Sequence, residues 1–584
     1  MENELLIPPN PLGKIALSFS GGGFRATAFC LGNLSYLNYR TVTDDKDTEE
    51  TLLHRVQFIS SASGGSFANL AYAQFLYSDK SFEECYQFLR QFMTGTDLLE
   101  EVLNNLKDDK VWKNYPHKGR NLINAFAIAY EEKLFKGANL GLLNKPNDKI
   151  HLKEICVNST EFENGISFRF QNSDGDSRKG LVGNKFLYLN IDEAHLPIVS
   201  KIRLADIMAA SSCFPGGFEP IIFPDDFAHK DLIIKELGSL IRSNEQDVNR
   251  GTIPKKETKQ SIMPIELTDT DWEGFPNPDL KFALMDGGID DNQGINSMML
   301  ADKRARKKKQ EFDTMIVCDV GSNFMKPYLP VKENKSTLLG KFSLTALSRF
   351  YFIICALLIG IGISLLNECR EKYLPTVLIT LGGLGLLVGA LLYWKLHNVY
   401  KKATKGSWGS IINKYVGYFF KIRTSVLMEM IVARAESVLK MTTSIFMIQI
   451  RRLSYQLFYE HPEWSNRRIS VRIYEVSTQG FPDTESRLKE KLPKTWRQIP
   501  PPSHQLLAIA QQAREMGTTL WFDDENLDKR DKIIATGQFT MCYNLLVYLF
   551  EIEAIKALSG SLKKLQQDLL NDWIKFNENP NWLL

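Results

Sequence analysis

Three short stretches of the chain carry residue types that could do chemistry. The first is Ser20-Gly21-Gly22-Gly23-Phe24-Arg25-Ala26, which follows an apolar run and opens a helical one. Glycines let the backbone approach a ligand closely, and the amides at a helix start attract negative charge. Alone, this loop fits either a dinucleotide-binding G-x-G-x-x-G/A turn or an oxyanion hole. The dinucleotide reading needs an acid at the end of the next strand, about 20 residues on. Asp44 and Asp45 have that spacing but sit in a charged loop, Thr41–Thr51, ahead of the strand. No Gly-Lys-Ser/Thr follows, which excludes a phosphate-binding P-loop.

The second stretch is Ile59-Ser60-Ser61-Ala62-Ser63-Gly64-Gly65-Ser66, closing an apolar run and starting a helical one. Small residues two before and two after a serine suit a sharp strand-turn-helix elbow, where larger side chains collide. Ser63 is the central serine of this G-x-S-x-G-like pattern, with Ser61 in place of the first glycine. A structural Ser/Gly turn would look similar. A nucleophilic serine needs a base. The eight histidines, at 54, 117, 151, 195, 229, 397, 461 and 504, include none in a catalytic-looking turn. His54 is nearest in sequence but lies at the far end of the Val56–Ser60 strand, up to roughly 30 Å from Ser63 at about 3.3 Å per residue. The third stretch supplies a better candidate, Asp286 in Met285-Asp286-Gly287-Gly288-Ile289, which is also readable as a turn aspartate.

These residues need a scaffold, and residues 11–324 alternate between strand and helix patterns. Ile15–Phe19 and Val56–Ser60 read as strands that each run into a glycine-rich turn and a helix, the first to about Tyr39 and the second from Ser66 to about Tyr77. Phe186–Asn190, Phe282–Met285 and Thr314–Val320 read as further buried strands. The pattern predicts an α/β fold with a mostly parallel central sheet sandwiched by helices and ligands at strand carboxyl ends. Residues 96–150 read as polar and irregular, and 225–278 as a surface excursion. Farther on, Ile431, Ala435, Val438, Thr442 and Ile445 mark one face of an amphipathic helix, and about 532–558 is also helical.

Glycine-Gly-Gly-x-Arg after a first strand, a serine elbow about 40 residues later and a downstream Asp-Gly-Gly together resemble the patatin-like phospholipases. Ala205-Asp206-Ile207-Met208-Ala209-Ala210-Ser211-Ser212-Cys213-Phe214-Pro215-Gly216 resembles that family's Ala/Ser-rich helix ending in Phe-Pro. Val317-Cys318-Asp319-Val320-Gly321 resembles the strand after its Asp-Gly-Gly. The resemblance covers about Pro11–Phe324; Ser61 and an added apolar hairpin depart from it. It implies hydrolysis of lipid acyl esters by a Ser–Asp dyad, with no cofactor and no metal. Carried over, Ser63 is the nucleophile and Asp286 the base; the Gly22 and Gly23 amides, joined by that of Gly64, form the oxyanion hole; Gly21 and Arg25 order the loop.

The apolar hairpin is a separate signal. Phe350–Leu366 runs 17 residues without a charge and Leu374–Trp394 runs 21. As helices they reach roughly 26 and 32 Å, bracketing a bilayer core of about 30 Å. Tyr351, Tyr393 and Trp394 suit an interface, and repeated glycines suit close helix packing. Lys332, Lys335, Lys341 and Arg349 precede the pair, and Lys395, Lys401, Lys402 and Lys405 follow it. Positive-inside logic then puts both flanking parts in the cytoplasm and only the Asn367–Tyr373 link outside. A hairpin dipping into one leaflet is the alternative.

Composition sets the remaining bounds. At 44% hydrophobic and 24% charged residues, the chain is neither disordered nor collagen-like. Its eight cysteines include no Cys-x-x-Cys pair, arguing against a zinc knuckle and a dithiol site and for a reducing compartment. The start lacks the basic and apolar regions of a secretory signal. Lys303–Lys309 holds six basic residues in seven, readable as a solvated helix face or as attraction to anionic lipid; with no aromatic interleaving, nucleic acid is not the expected partner.

The sequence thus predicts a multi-pass membrane protein with a catalytic core over 1–324, a membrane hairpin over 325–405 (helices about 350–366 and 374–394) and a mostly helical 406–584 region packing on the core. Its expected activity is hydrolysis of glycerophospholipids or lysophospholipids at a bilayer surface. The competing reading is a catalytically silent scaffold or pore-forming protein whose hairpins assemble in a homo-oligomer.

Overall fold

The computed structural model describes residues 7–43, 48–144, 150–172, 181–243, 275–321, 339–368, 373–403, 420–523 and 525–584. Asp44 and Asp45, residues 244–274 of the 225–278 excursion, Lys332, Lys335, residues 369–372 of the hairpin link and Lys405 lie outside them. By internal contacts the chain forms two units, Met1–Met325 with Thr442–Leu584, and Lys326–Met441.

In the first unit Ile15, Ala16, Leu17 and Phe19 are all fully buried, as expected of a strand covered on both faces. That strand lies mid-sheet. Five strands run parallel in the order Arg468–Arg472, Thr314–Asp319, Ile15–Phe19, Val56–Ala62, Glu154–Glu161. Beyond the last, Ile166–Gln171 pairs antiparallel, and four short strands extend that side. The mostly parallel sheet agrees with the alternating strand and helix pattern of the sequence.

Two regions differ from expectation. Residues 96–150 are largely helical, with helices at Asp97–Lys107, Asp109–Asn114 and Leu122–Tyr130. Part of the 225–278 excursion belongs to the core: the Ile234–Leu240 helix leads into the Ile241–Ser243 strand, and Leu237, Leu240 and Ile241 are fully buried. The Asp97–Lys107 helix shows a helical apolar spacing, Leu98, Leu99, Val102 and Leu106, within a stretch whose polar composition masked it, whereas the Ile234–Leu240 helix and Ile241–Ser243 strand are too short to display a period. The Arg468–Arg472 strand, far along the chain, adds an edge to the parallel sheet that the helical reading of that region did not anticipate.

The Gly23–Tyr39 helix packs against Leu527–Ile555 with the backbones nearly touching. A Cβ on Gly32 would lie 2.1 Å from the Ile534 carbonyl oxygen, and one on Gly537 2.4 Å from that of Phe29. The Leu527–Ile555 helix is long and apolar enough to cross a membrane, but 89% of its apolar window is buried in protein. Its apolarity belongs to the core.

The second unit holds the opposite case. Leu344–Leu366 and Tyr373–Asn398 have mean hydropathies of 2.2 and 2.1, and only 11% and 6% of their apolar windows are buried. By length and composition these helices could cross a membrane. They pack together through glycines: a Cβ on Gly362 would meet the Pro375 carbonyl oxygen at 3.0 Å, and one on Gly382 that of Cys355 at 2.8 Å. The Tyr351 hydroxyl donates to the Gly385 carbonyl at 2.6 Å. Leu357, Ile361, Leu381 and Leu392 point outward, each at least half exposed.

Candidate active site

Strand pairing alone brings two of the sequence-selected residues together. Glu154–Glu161 pairs along one edge with Ile166–Gln171 from Cys156 to Glu161. Its other edge is shared. Val56–Ala62 runs parallel along the first half, with Ala62 opposite Asn158. Phe282–Asp286 runs antiparallel along the second half, with Asp286 opposite Ser159. Two strands therefore approach each other end to end and meet at their carboxyl ends, where Ser63 and Asp286 follow.

At Ser63 the backbone turns sharply into the Gly64–Tyr77 helix with φ 47° and ψ −126°, a strained conformation for a residue with a Cβ. The neighbouring glycines make this turn fit. A Cβ on Gly64 would lie 2.1 Å from the Gly23 carbonyl oxygen, and one on Gly65 2.7 Å from that of Ser20. The glycine loop and the elbow thus pack backbone to backbone, bringing the Gly22 and Gly23 segment beside the first turn after Ser63. The amides of Gly22, Gly23 and Gly64 are uncommitted among the described residues, whereas the Gly21 amide donates to the Asn292 carbonyl at 2.8 Å. Thr27 ties the two loops by donating to the Gly64 carbonyl at 2.8 Å.

Ser61, the departure from G-x-S-x-G, has a buried side chain with its own partners. Its hydroxyl accepts from Asn69 Nδ2 at 2.9 Å and from Ser66 Oγ at 3.0 Å. The position needs a small residue, and a serine that can satisfy its hydroxyl serves.

Asp286 is buried. Burial pushes its carboxyl up to about 6, opposed by hydrogen bonds from the Gly288 amide and with the Ser63 side chain. The Gly288 bond is 2.6 Å. A carboxylate poised near 6 is a much better proton acceptor at neutral pH than an ordinary aspartate. The following acids serve structure: Asp290 accepts from Ser167, and Asp291 caps the Ile295–Lys307 helix by accepting from the Ile295 and Asn296 amides.

Sequence reasoning missed the residues that hold these two in place. The Ser211 hydroxyl accepts the Ser63 amide at 3.0 Å, donates to the Asn158 carbonyl at 2.7 Å and lies 3.0 Å from Ser66 Oγ. From the same turn, the Ser211 carbonyl accepts the Gly287 amide and the Cys213 carbonyl accepts that of Asp286. One helix end therefore grips both halves of the pair. Asn158 supports the elbow from below, donating to Ser60 Oγ and the Ser61 carbonyl. The Ala/Ser-rich stretch hinted at Ser211; a single buried asparagine in a strand gives no such hint.

Arg25 points away from Ser63. Its guanidinium donates to the Arg514 carbonyl at 3.1 Å, and burial lowers its pKa to about 10, with Asp319 opposing. The Phe24 amide donates to the Thr519 carbonyl, so a carboxyl-terminal segment clamps the glycine loop. His54 and His151 lie at the opposite end of the Val56–Ala62 strand. His151 bonds the Val56 carbonyl and packs against His54. Seven residues at about 3.3 Å separate Val56 from Ser63, roughly 20 Å.

No group of three or more His, Cys, Asp or Glu able to hold a metal converges among the described residues. A cavity of about 990 Å³ lined by Asp319, Arg451, Arg468 and Arg472 among others includes neither Ser63 nor Asp286. Its cations have structural partners: Arg451 pairs with Asp319, and Arg468 donates to the Phe458 and His461 carbonyls at a helix end. In the basic run, Arg304 pairs with Glu154, and Arg306 with Asp302 and Glu463.

Residues 17–297 match the family model for patatin-like phospholipases. No curated protein matches the chain. Among solved structures, human GIVD cytosolic phospholipase A2 aligns at 15% identity with a TM-score of 0.22, over 27% of this chain and 22% of that one. An overlap that slight bears on neither fold nor function.

Proposed function

We propose that this member of the patatin-like phospholipase family, whose family domain spans residues 17–297, is a serine acyl hydrolase that cleaves phospholipid esters at a membrane surface with a Ser63–Asp286 dyad. The reading rests on one observation above all: a serine on a strained elbow meets a buried carboxyl raised to about 6, beside uncommitted glycine amides. Ser63 Oγ attacks the ester carbonyl carbon while Asp286 takes its proton. The carbonyl oxygen becomes an oxyanion, held by the amides of Gly22 and Gly23 with that of Gly64. Collapse breaks the ester bond, and the departing alkoxide takes the proton from Asp286 to leave as a lysophospholipid or glycerol derivative. Asp286 then deprotonates water, whose oxygen attacks the acyl-serine carbonyl. Collapse breaks the Ser63 Oγ–acyl bond, Asp286 returns the proton to Ser63 Oγ, and a fatty acid is released. Gly21 and Arg25 act on the shape of the loop. Residues 1–324 are the catalytic core, completed by 406–584, and the 325–405 hairpin anchors it from the cytoplasmic side, holding the site at its water-insoluble substrate.

The test is covalent. A fluorophosphonate probe should label the purified chain on Ser63, and the chain should release fatty acid from phospholipid vesicles. Absence of labelling, or equal labelling of Ser63→Ala, rejects the assignment.

Ser211 provides a second prediction. Ser211→Ala leaves the Ser63 amide without its acceptor, a loss of about 1–3 kcal/mol in positioning. The expected result is a fall in kcat of about 10- to 100-fold with KM little changed, measured on vesicle substrate; a rise in KM alone would remove Ser211 from this role.

A further inference from the structure

The helix Thr424–Lys440 has no buried residue. Met428, Ile431, Val432, Val438 and Leu439 are 62%, 52%, 38%, 61% and 48% exposed, which is unusual for so many large apolar side chains on one soluble helix. At about 100° per residue they fall within one arc of roughly 120°, while Ser425, Glu436, Glu429 and Lys440 form a polar stripe along one flank of that arc, and Val426 and Met430 lie on the far side. The helix is amphipathic, and its apolar side faces outward.

Where it starts identifies what covers that side. The Thr424 amide and hydroxyl both donate to the Phe342 carbonyl, at 2.9 and 3.0 Å. The Thr345 amide and hydroxyl donate to the Phe420 carbonyl, at 3.1 and 2.8 Å, and Ser343 bridges Arg423. Phe342 is two residues ahead of Leu344, the first residue of the first apolar helix. The amphipathic helix is thus stitched at its amino end to the foot of the hairpin. Lys341, Arg349, Lys421 and Arg423 surround that junction in sequence, the charge that anionic head groups attract.

We infer that Thr424–Lys440 lies in the plane of the bilayer surface, with Met428, Ile431 and Val438 in the boundary between head groups and acyl chains, as a third membrane contact of this chain. A helix with an exposed apolar arc and a charged stripe along its flank is suited to lie along an interface, the stripe in the head groups and the arc below them. This rests on the reading that the hairpin enters the bilayer. It adds a surface contact to the apolar hairpin within the Lys326–Met441 unit.

The test uses full-length protein with Cys369→Ser, because the cysteines at 30, 85, 156, 213, 318, 355 and 542 are all buried. Single cysteines replace Ile431, Glu436 or Leu384, each labelled with an environment-sensitive fluorophore, in vesicles of phosphatidylcholine and phosphatidylserine carrying bromines at shallow or deep acyl positions. The expected result is quenching at Ile431→Cys by shallow bromines several-fold stronger than at Glu436→Cys, with Leu384→Cys quenched by deep bromines. If Leu384→Cys is quenched and Ile431→Cys is no more quenched than Glu436→Cys, the surface helix is wrong while the hairpin stands. An Ile431→Cys label shielded from water yet untouched by either bromine places protein over this face and also overturns the inference. If Leu384→Cys escapes quenching, the hairpin reading fails, and the surface helix with it.

Discussion

Ser63→Ala is expected to lower kcat/KM for acyl-ester hydrolysis on the order of 10⁴-fold or more while leaving the fold intact. The side chain removed is half-buried at the elbow, and the Ser63 amide keeps its bond to Ser211, so no packing is lost. The backbone makes a further distinction. Alanine at φ 47° and ψ −126° retains the strain, whereas glycine adopts such angles freely. Ser63→Gly should therefore be inactive and more stable than Ser63→Ala by roughly 1 kcal/mol, within the 1–3 kcal/mol that such strain stores. Fatty-acid release from vesicles and denaturant melts of the three proteins measure both effects. Hydrolysis by Ser63→Ala at near wild-type rates would remove the nucleophile from this serine.

Asp286→Asn should abolish hydrolysis and stabilise the protein at the same time. Asparagine can still accept from the Gly288 amide but cannot take a proton from Ser63. The stability change follows from the sign of the shift. The folded-state pKa, about 6, is raised above the ordinary 3.8 because burial disfavours the charge. The protonated form is thus favoured by folding, and that stability is present below about 3.8 and lost as pH rises through about 6. Above pH 7 the wild type carries an ionised buried carboxylate, a cost on the order of 3 kcal/mol that asparagine removes. The variant should melt higher than wild type at pH 7.5, with the gap closing as pH falls from 6 towards 4. Wild-type kcat/KM should rise with pH through about 6 and then level, since only the ionised carboxylate can act as base. An unchanged melting temperature at pH 7.5, or activity that falls across pH 5–7, would count against Asp286 in this role.

Much of the site was legible because its constraints are local. Gly64 and Gly65 betray a turn with no room for a Cβ, and small residues around Ser63 mark an elbow whichever scaffold carries it. The strands ahead of both loops were legible for the same reason, as short apolar runs ending in glycine. The supports were not. Ser211 reaches the Ser63 amide across 148 positions, and Asn158 holds the elbow from a neighbouring strand. Neither contact leaves a periodic trace, and a buried polar residue looks the same in sequence as an exposed one. The Ile234–Leu240 helix was missed because seven residues are too few to declare a helical period, and the Arg468–Arg472 strand because buried Ile469 and Val471 alternate with polar residues and form no apolar run.

Hydropathy shows the same division. The sequence by itself determined that two adjacent segments are apolar all round and that Ser63, Asp286 and the glycine loop are the groups with chemistry to offer. It read about 532–558 as a helix of a region packing on the core, but it did not show that Leu527–Ile555 is buried against the Gly23–Tyr39 helix with the two backbones nearly touching, which tertiary packing decided. Nor could it say that Asp286 and Ser63 meet, 223 positions apart. That was decided by the sheet, in which one edge of Glu154–Glu161 is divided between a strand arriving from each direction. Residue type supplies a candidate nucleophile and a candidate base; only strand pairing brings them together, and only burial raises the carboxyl towards neutral pH.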